Sequence, residues 1–303
     1  MRGAMTHETG AALRRAVPDR WRTRFAPAPT GWLHLGHAVN AIYVWGLARA
    51  HGGRVVLRIE DHDRARHRDE YERGITEDLA WLGFDADEVA PPQRERYDAY
   101  ARALAPLERD GLAYPCACSR RDIAGVVGDV FNEESRYPGT CLARGLDPQA
   151  HVARRVRMDD GIESFDDLRL AAQSQEPARQ CGDVLARDRA GQWTYQFAVV
   201  VDDRDQAIDV VIRGEDLLAS TGRQLRLARL VGRAAPPRYL HHPLLTVPGG
   251  AKLSKSAGDS GIRELRASGR SAAEVLGMAA HAARLIDTMR AVTADEVPAL
   301  FRG

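Results

Sequence analysis

The order of segments at the front of the chain restricts the fold most. Trp21 to Phe25 reads as a short strand. Ala26-Pro27-Ala28-Pro29-Thr30-Gly31 is a loop rich in residues that break regular structure, and Leu35 to Ala50 carries apolar residues at helical spacing. His51-Gly52-Gly53 closes that helix. Arg54 to Ile59 then forms a second short apolar run that ends at Glu60 and Asp61. Strand, helix and strand in that order make a βαβ unit, for which a right-handed crossover is expected. The predicted class is α/β: a Rossmann-type, doubly wound parallel sheet, with an inserted zinc-bearing subdomain and a short helical C-terminus added by the features below.

The remaining pattern divides the chain. Residues 1–20 are expected as a flexible extension and 21–113 as the first half of the Rossmann domain, with amphipathic helices at Asp69 to Leu82 and Tyr97 to Gly111. Tyr114 to Asp188 is irregular and holds all four cysteines, three of them within 116–141, so 114–190 is taken as an insertion. Residues 191–260 resume the sheet. Strands are expected at Trp193 to Val201, at Ala207 to Ile212 and near Tyr239 to Val247, with a helix from Leu217 to Val231. A Gly-rich loop over Gly249 to Ser256 follows, and 261–303 is a short helical segment in which Ser271 to Ala291 has helical periodicity.

Composition narrows the function classes. No apolar run approaches the roughly 18 residues of a membrane span, and the first twenty residues lack the apolar core of a secretory signal. A cytoplasmic, monomeric protein with no membrane partner is expected. A net charge of +1 and a pI near 7.8 are not those of a protein that grips a long nucleic-acid backbone. In a reducing compartment the four cysteines read as metal ligands or buried small apolar residues.

Of 43 basic residues, only Lys252 and Lys255 are lysine. A chain that uses arginine everywhere else keeps two ammonium groups in one loop, Lys252-Leu253-Ser254-Lys255-Ser256. Such a loop suits a compact point charge that follows a leaving pyrophosphate. At the front of the first helix, His34-Leu35-Gly36-His37 sets two imidazoles around a glycine. There the unpaired backbone N–H groups and the helix dipole attract phosphate, and the missing Cβ lets a ligand lie close. In the insertion, Cys116-Ala117-Cys118 and Cys141 could form three corners of a zinc tetrahedron, with Tyr137 or His151 as the fourth; Cys181 stands apart as a buried apolar residue.

The histidine and lysine strings, in this order, resemble the two signature motifs of class I aminoacyl-tRNA synthetases. Arg24-Phe25-Ala26-Pro27-Ala28-Pro29-Thr30-Gly31 and Arg58-Ile59-Glu60-Asp61 resemble the glutamate-specific branch of that family, and the likeness covers roughly residues 22 to 260. The resemblance implies ATP and L-glutamate as substrates, with Mg²⁺ accompanying ATP. It implies His34, Gly36, His37, Lys252, Ser254 and Lys255 as the ATP site. His34, His37, Lys252 and Lys255 are the catalytic groups among these. Arg24, Phe25, Ala26, Pro27, Ala28, Glu60, Tyr195 and Arg213 become the glutamate site, with guanidinium forks for two carboxylates and a counter-charge for the ammonium. The family loop usually has serine where this chain has Ala28, so one hydroxyl contact is missing. Cys116, Cys118, Tyr137 and Cys141 become the ligands of one structural Zn²⁺.

A full-length glutamate-specific enzyme continues well past its lysine loop into a helical anticodon-binding domain, whereas this chain has only Ala257 to Gly303 there. It therefore resembles the short members of the branch that attach glutamate to queuosine in the anticodon loop of tRNA(Asp). The alternatives are a minimal enzyme that charges an acceptor stem and a catalytically decayed relative that acts as a regulator.

Overall fold

The computed structural model describes residues 2–127, 135–148, 151–245 and 261–302. In chain order its elements begin α1 (Arg2–Ala16), β1 (Trp21–Phe25), α2 (Leu35–Ala50), β2 (Gly53–Leu57), α3 (Asp69–Leu82), β3 (Glu88–Val89) and α4 (Tyr97–Arg109). Then come β4 (Ala113–Cys116), α5 (Arg120–Val127), β5 (Ala153–Val156), β6 (Glu163–Asp167), β7 (Ala171–Gln175), α6 (Pro177–Gln180) and β8 (Val184–Arg187). The last group is α7 (Tyr195–Asp205), β9 (Val210–Gly214), α8 (Thr221–Leu230), β10 (Arg238–His242), α9 (Ile262–Ala267) and α10 (Ala272–Ala282), followed by a 3₁₀ segment over Ala294–Phe301.

β1 and β2 pair in parallel from Trp21↔Gly53 to Phe25↔Leu57, and β3 adds a short parallel edge. A second sheet runs β7-β6-β10-β9, parallel except at the β6–β7 hairpin. The two sheets meet where β1 lies beside β9. There the Asp209 amide donates to the Arg22 carbonyl at 2.9 Å, and the Arg24 guanidinium donates to the Ile212 carbonyl at 3.2 Å. From β1 the chain winds outward through α2 to β2, and from β9 it winds the other way through α8 to β10. The switch point between β1 and β9 is where a doubly wound sheet opens a crevice at the carboxyl ends of its strands.

Buried Val55, Val56 and Leu57 show why β2 is a continuous apolar run: helices cover both faces of a parallel sheet. α2 is apolar almost all round because it is covered on several sides, and Ala38 to Ala48 contains only one residue that is not buried. Its Gly46 lies under the Phe301 ring, where a Cβ would come within 2.3 Å of Phe301 Cε2. The glycine lets the C-terminal segment seat directly on the helix that carries the histidines.

Several expectations are corrected. Residues 1–20 contribute a helix, α1, with Leu13 wholly buried, in place of a flexible extension. The strand expected at Trp193 to Val201 is helix α7, because an apolar run with valines fits a buried helix as well as a strand, and tertiary contacts decide. The helix expected to reach Ala291 stops at Ala282. Residues 114–190 serve two sheets. β4, β5 and β8 make a separate antiparallel sheet, whereas the β6–β7 hairpin joins β10 of the main sheet. Among the described residues no helix is long and apolar enough to cross a membrane.

Candidate active site

A cleft of about 710 Å³ opens at the switch point. It is lined from β1 by Arg24, from the following loop by Ala26 and Ala28, and from the front of α2 by His34, Gly36 and His37. Glu60 beyond β2, Tyr195 at the start of α7 and Arg213 at the end of β9 complete it. Nine of the residues expected from the sequence thus share one space. Phe25 and Pro27 do not line it. Phe25 points into the core against Trp45, with ring centroids 5.2 Å apart, and buried Pro27 uses its carbonyl to accept the Glu60 amide at 3.0 Å. In an extended strand Phe25 and Arg24 face opposite ways, which is why only one of them reaches the cleft.

The front of α2 is a reciprocal cap. His34 Nδ1 accepts from the Gly36 amide, and His37 Nδ1 accepts from the His34 amide, both at 3.1 Å. A neutral imidazole that accepts at Nδ1 carries its proton on Nε2, so both rings are set as Nε2–H donors. The rings sit edge to face, 4.0 Å apart. A Cβ on residue 36 would lie 2.9 Å from His34 Cε1, so glycine there preserves the cap as well as the approach to the backbone.

The guanidinium groups are held from behind. Arg24 donates to Asp203 at 3.3 Å, and fully buried Arg58 donates to Asp203 at 2.8 Å and to Glu60 at 3.0 Å. Burial opposes charge on Asp203, but the cations of Arg58 and Arg24 outweigh it and hold its carboxyl below the ordinary range. Arg58 therefore fixes both the acid that orients Arg24 and the acid that faces the cleft. Arg213 donates to His241 Nε2 at 3.0 Å, to Gln224 at 2.6 Å and to Thr221 at 2.9 Å. Behind it, His241 Nδ1 meets Asp167 at 2.7 Å, wholly buried. Sequence reasoning missed Asp203, Arg58 as a positioning group, and the cleft residues Asn40, His62 and His242. The signal for Asp203 was two adjacent acids ending an apolar run, and a strand assignment obscured it.

Lys252, Ser254 and Lys255 lie outside the described residues. The described chain on either side of them is at the cleft: Leu245 lines it, and Gly261 bridges to His34, with the Ile262 amide donating to the Leu33 carbonyl at 2.9 Å.

In the β4–β5–β8 lobe, the Cys116, Cys118 and Cys141 sulfurs lie within 4.8 Å of one another. The Tyr137 hydroxyl is 3.3 Å from Cys116 Sγ and 3.8 Å from Cys118 Sγ, and it accepts from the Cys141 amide at 2.9 Å. The Arg155 guanidinium covers the Tyr137 ring at 3.6 Å and donates to Cys116 Sγ at 3.3 Å, so positive charge already faces the phenol and a thiol. Burial works against the Cys141 thiolate, but hydrogen bonds from Cys118, the Ala117 backbone and Tyr137 bring it down to about 7. Three soft donors and a phenol oxygen at this spacing fit a tetrahedral zinc. His151 is exposed and is not part of the cluster, and Cys181 is buried apart from it. A second group, Asp61, His67 and Glu72, is filled by Arg94, which donates to Asp61 at 2.5 Å and to Glu72 at 2.8 Å.

A parallel sheet with its cleft at the switch point and its imidazole pair at a helix front defines a class I synthetase core. The chain belongs to the family described as tRNA synthetases class I (E and Q), catalytic domain, whose model matches residues 20–270. Two curated relatives carry a more particular name. Glutamyl-Q tRNA(Asp) synthetase of Burkholderia cenocepacia J2315 is 42% identical over 293 residues, covering 93% of this chain and 96% of that protein. The protein of the same name from Symbiobacterium thermophilum is 40% identical over 298 residues, covering 92% and 91%. Among solved structures, a glutamate tRNA ligase from Elizabethkingia meningosepticum in complex with its amino acid is 28% identical with a TM-score of 0.76. That match covers 92% of this chain and 64% of the ligase, so this chain spans less than two thirds of it.

Proposed function

We propose that this chain uses ATP to activate L-glutamate as glutamyl-adenylate and transfers the glutamyl group to queuosine in the anticodon loop of tRNA(Asp). The observation that carries the reading is the convergence of Arg24, Arg213, Glu60 and the His34-Gly36-His37 helix front on one cleft. Two carboxylates and an ammonium find forks and a counter-charge there, next to a phosphate-attracting helix end. The names of the curated relatives support the same substrates.

In the first step a glutamate carboxylate oxygen attacks the α-phosphorus of ATP and pyrophosphate leaves. His34 and His37 donate from Nε2 to phosphate oxygens, while Arg24 and Arg213 orient the diacid, with Glu60 beside the ammonium and the Tyr195 hydroxyl adding a contact. Lys252 and Lys255, with Ser254, take the charge that builds on the departing pyrophosphate. Mg²⁺ accompanies ATP and offsets phosphate charge. Orientation of the two reacting groups contributes roughly 7–11 kcal/mol. In the second step a hydroxyl of the queuosine cyclopentene ring takes the glutamyl group and AMP leaves. Cys116, Cys118, Tyr137 and Cys141 hold one structural Zn²⁺, which ties β4 to the chain after α5; purified protein without zinc removes that assignment. The chain acts as a cytoplasmic monomer.

The deciding experiment supplies labelled glutamate and ATP to tRNA(Asp) with and without queuosine. Label is expected only on the queuosine-bearing RNA. Equal labelling of both identifies an acceptor-stem enzyme, and absence of ATP–pyrophosphate exchange with any amino acid favours the regulator.

A further inference from the structure

We infer that His62 is the proton acceptor of the transfer step, an inference that rests on the glutamyl transfer proposed above. His62 follows Asp61 beyond β2 and lines the cleft beside Tyr195, with ring centroids 6.2 Å apart. Its backbone is pinned by the Tyr97 hydroxyl, which donates to the His62 carbonyl at 3.2 Å.

A chain of hydrogen bonds determines which ring nitrogen carries the proton. His62 Nδ1 lies 2.7 Å from Gln93 Oε1, and fully buried Gln93 places Nε2 2.7 Å from Asp202 Oδ2. Asp202 receives Arg96 Nε–H at 2.6 Å and the Tyr100 hydroxyl at 3.0 Å, the surroundings of an ionised carboxylate. A carboxylate only accepts, so Gln93 must turn its NH₂ toward Asp202 and its oxygen toward His62. That oxygen also only accepts. His62 therefore holds its proton on Nδ1, and Nε2 of the neutral ring carries a lone pair. No hydrogen bond engages Nε2 among the described residues.

This tautomer is the opposite of that at His34 and His37. Of the four imidazoles that line the cleft, those of His34 and His37 are set as donors, suited to phosphate oxygens, and that of His62 is set as an acceptor, suited to a hydroxyl. The fourth, His242, is occupied by the Pro243 carbonyl at 3.0 Å and Asn40 Oδ1 at 3.2 Å. In the transfer step the queuosine hydroxyl oxygen bonds to the glutamyl carbonyl carbon. The bond from that carbon to the phosphate oxygen breaks, AMP leaves with the electron pair, and the hydroxyl proton passes to His62 Nε2. Glu60, Arg66 and Tyr195 share the cleft with the ring; Asp61 precedes it, and Arg64 and Tyr97 flank it, with the Arg64 guanidinium 4.3 Å above the Tyr97 ring.

The test compares the wild-type chain with H62Q in two assays across about pH 5 to 8. One is glutamate-dependent ATP–pyrophosphate exchange; the other is single-turnover transfer from preformed adenylate to queuosine-bearing tRNA(Asp). H62Q is expected to slow transfer about 10²-fold, the usual contribution of a general base, and to slow exchange at least about tenfold less. Wild-type transfer should fall on the acid side, and H62Q transfer should lack that fall. Nitrogen NMR of histidine-labelled wild-type protein, with the His62 signal identified by its loss in H62Q, should show the Nδ1–H tautomer. Transfer that falls no more than exchange, or a proton found on Nε2, overturns the inference. A wild-type chain with neither exchange nor transfer overturns the underlying function, a different result from an active wild type matched by H62Q.

Discussion

Single side chains set the polarity of this cleft from behind. Arg58 makes no contact with solvent, yet it holds Glu60 and Asp203, and through Asp203 it holds Arg24. Removing one member of such a buried network leaves charges desolvated and unpaired. Arg58→Met is therefore expected to lower unfolding free energy by about 3–5 kcal/mol, read as an earlier urea midpoint. A midpoint unchanged from wild type would show that the acids find other partners. The same logic explains why Arg24 and Arg213, although recognisable by type, could not be given their orientation from the sequence. Asp203, which holds Arg24, and Gln224 and His241, which hold Arg213, come from other elements of the fold.

At the scale of elements, α2 does most to position the site. Its N-terminus carries the reciprocal cap of His34 and His37, its middle lies in the core, and Phe301 closes over Gly46. The Gly46→Ala methyl would have to displace that ring, an overpacking expected to cost typically 1–3 kcal/mol, although alanine is the better helix former. A lower thermal midpoint, with the exchange rate reduced alongside it, is the expected result; a more stable variant would mean that the C-terminal segment can shift without loss. α7 illustrates the opposite relation between pattern and placement. Its Tyr-Gln-Phe-Ala-Val-Val-Val run reads as strand by residue type, yet only a helix brings Tyr195 and Asp203 together beside Arg24 and Glu60.

For the molecule as a whole, buried His241 and His242 and half-buried His51 couple stability to pH. Burial pushes His242 down to about 4, and it lowers His241 and His51 as well. Their unfolded values lie near ~6.5, so between these limits the unfolded chain binds protons that the folded chain excludes. Stability from these groups is complete above the unfolded value and is lost as pH falls toward the folded ones. Asp78 acts in the other direction, because burial raises its carboxyl to about 6 and folding then favours its protonated form in mild acid. Three groups outweigh one, and the urea midpoint is expected to be lower at about pH 5 than at about pH 7.5. A higher midpoint in acid would show Asp78 to be dominant. His51 also joins distant parts of the chain, since its ring meets Arg14 of α1 and the Phe301 carbonyl.

Local order and residue type were sufficient for the βαβ opening, the helix front with two imidazoles and the set of three thiols. Each of these depends on neighbours in the chain or on chemistry carried by the residue itself. Tyr137 was preferred to His151 beside the thiols only through the family resemblance. Only the tertiary structure decided that β1 and β9 lie side by side, that the β6–β7 hairpin completes the main sheet, that Phe25 faces the core and that α7 is a helix. It also decided the tautomers, because the proton on an imidazole follows from whichever donor or acceptor the fold brings to the other nitrogen. Interactions between residues well over a hundred positions apart leave no periodic trace in a sequence, and burial of the groups they join makes them decisive.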